Sequence, residues 1–131
     1  MSSQNSCDTL KIDEDLSAQE NLAILRLTGA VDAHTFDQLE ECVENLFAKG
    51  VQRLIIDMRN VKYASSAGIG VFIGALAKAR QHQGDLLLMN LTPDVKEVFD
   101  VLGLTQMFFV APDKAVALAY FERTRTASPR R

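Results

Sequence analysis

The chain has 131 residues, of which 47% are apolar and 24% charged, enough for one domain with a hydrophobic core and ordinary for a globular protein. Its net charge is −3, and setting aside the four positive charges of Arg123, Arg125, Arg130 and Arg131 leaves −7 on residues 1–122, a balance that disfavours nucleic acid as a partner. No apolar run approaches the ~20 residues of a membrane span, and Met1 to Asp8 lacks the charged-then-apolar order of an export signal, so no membrane is implied and a cytoplasmic location is expected.

Residues 1–8 show no periodicity and are expected to form a disordered leader, with one domain over 9–122 and a disordered basic tail over 123–131. Thr9 to Leu16 and Asn21 to Thr28 flank the polar turn Ser17 to Glu20 and predict a hairpin. Asp32 to Thr35 leads into a helix whose apolar stripe is Phe36, Leu39, Val43, Leu46 and Phe47, with Thr35 and Gln38 at capping-box spacing and Gly50 as its stop. Val51 to Met58, with Leu54, Ile55 and Ile56, reads as a strand buried on both faces. A helix from Ala67 to about Gln83 follows, and Asp85 to Leu91 is a second buried strand.

Thr92-Pro93-Asp94 writes a helix start with proline at its first position, and Val95, Val98, Phe99 and Leu102 are expected to be its buried stripe before Gly103 ends it. Met107 to Val110 reads as a short strand and Pro112 to Arg123 as a last helix packed through Val116, Ala119 and Tyr120. The sum is an α/β sandwich of about five strands, mixed because the hairpin is antiparallel and the mid-chain strands parallel, with four to five helices.

The informative stretch is Val61 to Gly74, where a strand ends, Ser65 and Ser66 follow, and a helix of small residues begins. Ile69, Phe72, Ile73 and Leu76 share its core-facing side. The opposite arc carries Ala67, Gly70, Val71, Gly74 and Ala75, with no charge until Lys78, although glycine costs ~1 kcal/mol relative to alanine inside a helix. Two readings fit: another helix of the domain lies across this arc, or a partner protein docks on it. Either serine can cap the helix, and the same N-terminus favours an added phosphate.

Other chemistry finds little support. Gly68-Ile-Gly70-Val-Phe-Ile-Gly74 resembles a dinucleotide fingerprint, but the acid that should bind ribose is misplaced, with Asp85 at the near end of the next strand and Asn90 at the far end. His34 and His82 lack convergent ligands, and Cys7 and Cys42 suggest neither a disulfide nor a zinc site, so no metal and no cofactor are expected. Ser66 sits in no Gly-x-Ser-x-Gly elbow, and no catalytic residue is assigned.

Three stretches together resemble the STAS family, in particular the bacterial anti-sigma-factor antagonists: Leu27-Thr-Gly-Ala-Val-Asp32-Ala-His-Thr35, Leu54-Ile-Ile-Asp-Met58 through Ser65-Ser-Ala-Gly-Ile-Gly70, and Val95-Lys-Glu-Val-Phe-Asp-Val-Leu-Gly-Leu104. The resemblance spans roughly Thr9 to Glu122 and implies a STAS-like sandwich acting as a non-enzymatic partner switch. The implied partners are an anti-sigma factor that is also a serine kinase and a phosphatase that resets the antagonist, with Ser66 as phosphate acceptor and Ser65 as second choice. The implied docking surface holds Asp32, Thr35, Ser65, Ala67, Gly70, Val71, Gly74, Ala75 and Lys78. Two positions depart from the family's usual pattern: Ser65 stands where aspartate commonly precedes the acceptor, and Ala30 where glutamate is common. The same resemblance also accommodates an interaction subunit of another system, such as lipid transport or phosphatase signalling, and the glycine-rich turn leaves a small-nucleotide binder as a further alternative.

Overall fold

The computed structural model describes residues 10–127. Strand β1 (Lys11–Asp15) pairs antiparallel with β2 (Leu22–Val31), and the chain then alternates α1 (Phe36–Ala48), β3 (Arg53–Ala64), α2 (Ser66–Gln81), β4 (Asp85–Met89), α3 (Pro93–Val101), β5 (Phe109–Ala111) and α4 (Lys114–Ala127). The sheet order is β1-β2-β3-β4-β5, parallel from β2 onward. Laying strands down in sequence with right-handed crossovers puts every crossover helix on one face, and α1, α2 and α3 do share the larger core there.

Central strands are buried on both faces, which is why β3 and β4 read as apolar runs. Leu54 and Ile56 point into the larger core, whereas Ile55 and Leu87 point to a smaller one closed by Ala117 and Phe121 of α4. Phe99 of α3 is fully buried in the larger core, its ring 6.3 Å from Phe72 and 6.2 Å from Phe108. No helix among the described residues is long and apolar enough to cross a membrane.

Several expectations are corrected. β3 runs on to Ala64 because Met58, Val61 and Ala64 keep a buried face while the strand pairs with the end of β2. Helix α3 packs through Val95 and Phe99, leaving Val98 and Leu102 outside the core, since the sheet covers only part of its apolar arc. Among the described side chains of α4, Ala117 and Phe121 are buried; Val116 and Ala119 are exposed and Tyr120 is half-buried, its ring stacked on Phe109 at 4.5 Å. The large Phe121 ring sets that rotation. The helix also extends to Ala127, past Arg123, where the sequence suggested a tail. The expected leader and the last four residues lie outside the described residues.

Replacing Phe99 with alanine removes the ring that joins α3 to α2 and should lower unfolding free energy by about 3–5 kcal/mol in urea titrations, whereas Val98→Ala should cost under ~1 kcal/mol.

Candidate functional site

The site forms where β2 and β3 end side by side, Val31 opposite Ala64, so that two loops leave the same edge of the sheet. The Ser65 N–H donates to the Val31 carbonyl at 2.9 Å, tying the β3–α2 turn to the end of β2. In the neighbouring β2–α1 turn, the buried Thr35 hydroxyl donates to the Ala30 carbonyl at 2.8 Å and accepts from the Asp32 N–H at 3.0 Å. Asp32 Oδ1 accepts from the His34 N–H at 2.9 Å, an Asx turn that holds the carboxylate beside the helix start.

The expected capping box is therefore not formed. Thr35 uses its hydroxyl within its own turn, and the Gln38 amide reaches the Leu10 carbonyl instead. Thr35, only 3% exposed, braces the turn from beneath, while Asp32 is half-buried at its surface.

The two serines have separate roles. Ser65 is the N-cap of α2, with extended backbone (φ −85°, ψ 176°) and its hydroxyl accepting from the Gly68 N–H at 3.4 Å. Ser66 is the first helical residue, exposed, and its hydroxyl bonds to no group among the described residues. No acidic residue occupies the first turn of α2, so the free N–H groups and the helix dipole there are not already offset by a carboxylate.

The small residues of α2 do not share one environment. Gly68 faces inward, where an added Cβ would lie 2.5 Å from the Val31 carbonyl oxygen, so the first glycine of the fingerprint-like run serves close packing of helix on strand. Val71 and Ala75, expected to face outward, are buried at 7% and 6% exposure. Helix α1 packs against α2, and Val43 from α1 shares a groove with them. Gly70 and Gly74 remain exposed, with nothing within 4 Å of an added Cβ. They line that same groove, about 180 Å³ in volume, in which Lys78 is ion-paired to Glu44. Ala67 is half-buried at the helix start.

The structure thus brings Asp32, Ser65, Ser66 and Ala67 to one edge, places Gly70, Gly74 and Lys78 along the outer side of α2, and withdraws Thr35, Val71 and Ala75 into the packing. Tyr63, 57% exposed just before the serines, is a surface aromatic that the sequence pattern does not single out. The outward position of a single aromatic at a strand end leaves no periodic signal. Cys42 is half-buried, and burial and its hydrogen bond to Glu14 at 3.1 Å push its thiol up to about 12, so it carries no thiolate chemistry near neutrality.

The STAS domain family model matches residues 15–117, and the chain belongs to that family. It is 36% identical over 111 residues to BtrV of Bordetella bronchiseptica, a protein named as a candidate anti-sigma factor antagonist, covering 85% of this chain and 93% of BtrV. Among solved structures, an anti-sigma factor antagonist from Mycobacterium paratuberculosis matches with a TM-score of 0.78 at 18% identity, over 91% of this chain and 99% of its own. Unphosphorylated SpoIIAA, also an anti-sigma factor antagonist, matches with a TM-score of 0.73 at 21% identity, over 91% and 100%. Phosphorylated SpoIIAA from Bacillus matches at 0.67 and 20% identity, over 84% and 98%. At such identities the solved structures speak for the fold.

The geometry separates six substitutions. Gly68→Ala should destabilise by about 1–3 kcal/mol through overpacking, and Ser65→Ala by ~1 kcal/mol through loss of the cap. Gly70→Ala and Gly74→Ala should each stabilise by about 0.5–1 kcal/mol, since the space is open and alanine is the better helix former. Ser66→Ala should stay within ~0.5 kcal/mol of wild type, as should Lys78→Ala, whose ion pair is surface-exposed and worth ~0–1 kcal/mol. Urea unfolding of the set checks all six.

Proposed function

We propose that this chain is a cytoplasmic anti-sigma factor antagonist that acts as a partner switch rather than as an enzyme. In its unmodified form it binds an anti-sigma factor that is also a serine kinase, through the edge formed by Asp32, Ser65, Ser66 and Ala67 and the outer side of α2 at Gly70, Gly74 and Lys78. The observation that carries this reading is the exposed Ser66 hydroxyl at the first position of α2, free while its neighbour Ser65 holds the cap. The family membership and the antagonist name carried by BtrV support it.

The chemistry follows from that placement. The kinase transfers the terminal phosphoryl group of ATP to Ser66 Oγ, the hydroxyl proton leaves, and ADP is released. The phosphate adds about −1.5 to −2 charges at pH 7 and lies against the N-terminus of α2, a position that stabilises anions by roughly 0.3–1 kcal/mol. The fold accommodates the modification, while a partner seated over Ser66 meets both its bulk and a charge that is costly to desolvate. A phosphatase then hydrolyses the ester with water and restores binding. Phosphate on Ser65 instead would compete with the cap that the Ser65 hydroxyl supplies, which favours Ser66 as the acceptor.

Incubation with a purified anti-sigma serine kinase and ATP, followed by peptide mass spectrometry, should find one phosphate on Ser66 and none in Ser66→Ala. Phosphate confined to Ser65, or none with any such kinase from the same organism, would refute this assignment.

A further inference from the structure

Among the described residues, Thr35 is the one polar residue buried within the fold, at 3% exposure. It stands at the N-cap position of α1, yet its side chain makes no capping bond to that helix. An N-cap hydroxyl ordinarily accepts from the second or third N–H of its own helix. This one is turned back on the preceding turn, donating to the Ala30 carbonyl at 2.8 Å and accepting from the Asp32 N–H at 3.0 Å. A buried hydroxyl has to be paired to offset its desolvation, but pairing within α1 would meet that need equally well. What the observed choice adds is a fixed turn upstream of the helix.

Asp32 is the residue that this turn holds. Its N–H is taken by Thr35, its carbonyl accepts from the Thr35 N–H at 3.1 Å and the Phe36 N–H at 2.9 Å, and its Oδ1 accepts from the His34 N–H at 2.9 Å. Asp32 also follows directly on Val31, whose carbonyl holds the Ser65 N–H. The half-buried carboxylate therefore has a set position relative to the start of α2, with Ala33 and His34 exposed beside it.

We propose that Thr35 is a positioning residue for the partner interaction: its buried hydroxyl holds Asp32 in the geometry that the anti-sigma kinase recognises, without itself touching the partner. This rests on the docking edge proposed above and deepens it. Valine has the shape of threonine without the hydroxyl, so Thr35→Val removes both bonds and frees the Asp32 turn. The tie from Ser65 to Val31 and the cap on α2 do not involve Thr35 and stay in place. The effect falls on docking, read as KM, rather than on phosphoryl transfer within the docked complex, read as kcat.

The test measures Ser66 phosphorylation by an anti-sigma serine kinase at saturating ATP, with the chain as varied substrate. Wild type, Thr35→Val, Thr35→Ser, Asp32→Ala and the Thr35→Val/Asp32→Ala double variant are compared at a temperature where circular dichroism shows each folded. Thr35→Ala, which removes the same hydroxyl, replaces Thr35→Val throughout should the valine variant not fold. Thr35→Val and Asp32→Ala should each raise KM about tenfold with kcat within about twofold of wild type, and Thr35→Ser should restore KM to within about threefold. Because Thr35 acts through Asp32, the double variant should lie within about threefold of the weaker single variant, not at the roughly hundredfold of independent effects. A wild-type KM in Thr35→Val or in Asp32→Ala, no rescue by serine, or fully multiplicative effects in the double variant would each overturn the proposal and leave Ser66 phosphorylation standing. Wild-type chain that takes no phosphate on Ser66 would instead reject the Ser66 reading, and the proposal with it.

Discussion

The carbonyl of Val31 is the contact on which the site depends. It accepts the Ser65 N–H at 2.9 Å and stands where any Cβ at position 68 would come within 2.5 Å, so one atom sets both where α2 begins and which residue type its first turn contains. Parallel pairing of β2 with β3 delivers that carbonyl, with Val31 opposite Ala64. The same alignment sets the β2–α1 turn beside the β3–α2 turn, so Asp32 and the serines occupy one edge although far apart in sequence. Pinning the helix start in this way fixes where the backbone of Ser66 stands relative to the end of β2.

Division of labour between the serines follows from that pin. A residue whose hydroxyl caps a helix is part of the helix's hydrogen bonding, and modifying it disturbs the element that presents it. Its neighbour at the first helical position shares the favourable dipole without contributing to the cap. On the proposed reading, a charge added at Ser66 leaves the cap supplied by Ser65 in place. The open glycines Gly70 and Gly74 lie further along the same helix, in the groove that α1 borders.

Much of this was legible in the residues. The hairpin and the alternating helices and strands follow from periodicities of two and 3.6, and Thr92-Pro93 and Gly103 mark their helix ends by local chemistry: the Thr92 hydroxyl accepts from Val95 N–H, and Gly103 sits at φ 75°. What periodicity does not report is the neighbour. Val71 and Ala75 are as small and uncharged as Gly70 and Gly74, yet only the former pair is covered, because α1 arrives from elsewhere in the chain. Val98 and Leu102 share the pattern of Val95 and Phe99 and stay outside because the sheet is narrower than the arc. Which serine caps was equally hidden, since the deciding atom belongs to Val31, outside the local sequence.

The central claim is that charge at Ser66 abolishes docking without disturbing the fold, and it is tested most directly with chain quantitatively phosphorylated on Ser66. Titration of this form and of unmodified chain into the kinase, alongside amide NMR spectra of both, separates the two effects. Spectral changes confined to the edge around Ser66 and α2, with affinity at least a hundredfold lower, are the expected result, corresponding to a loss of ~3 kcal/mol. Equal affinity of the two forms, or an affinity loss accompanied by spectral change throughout the sheet, would contradict it.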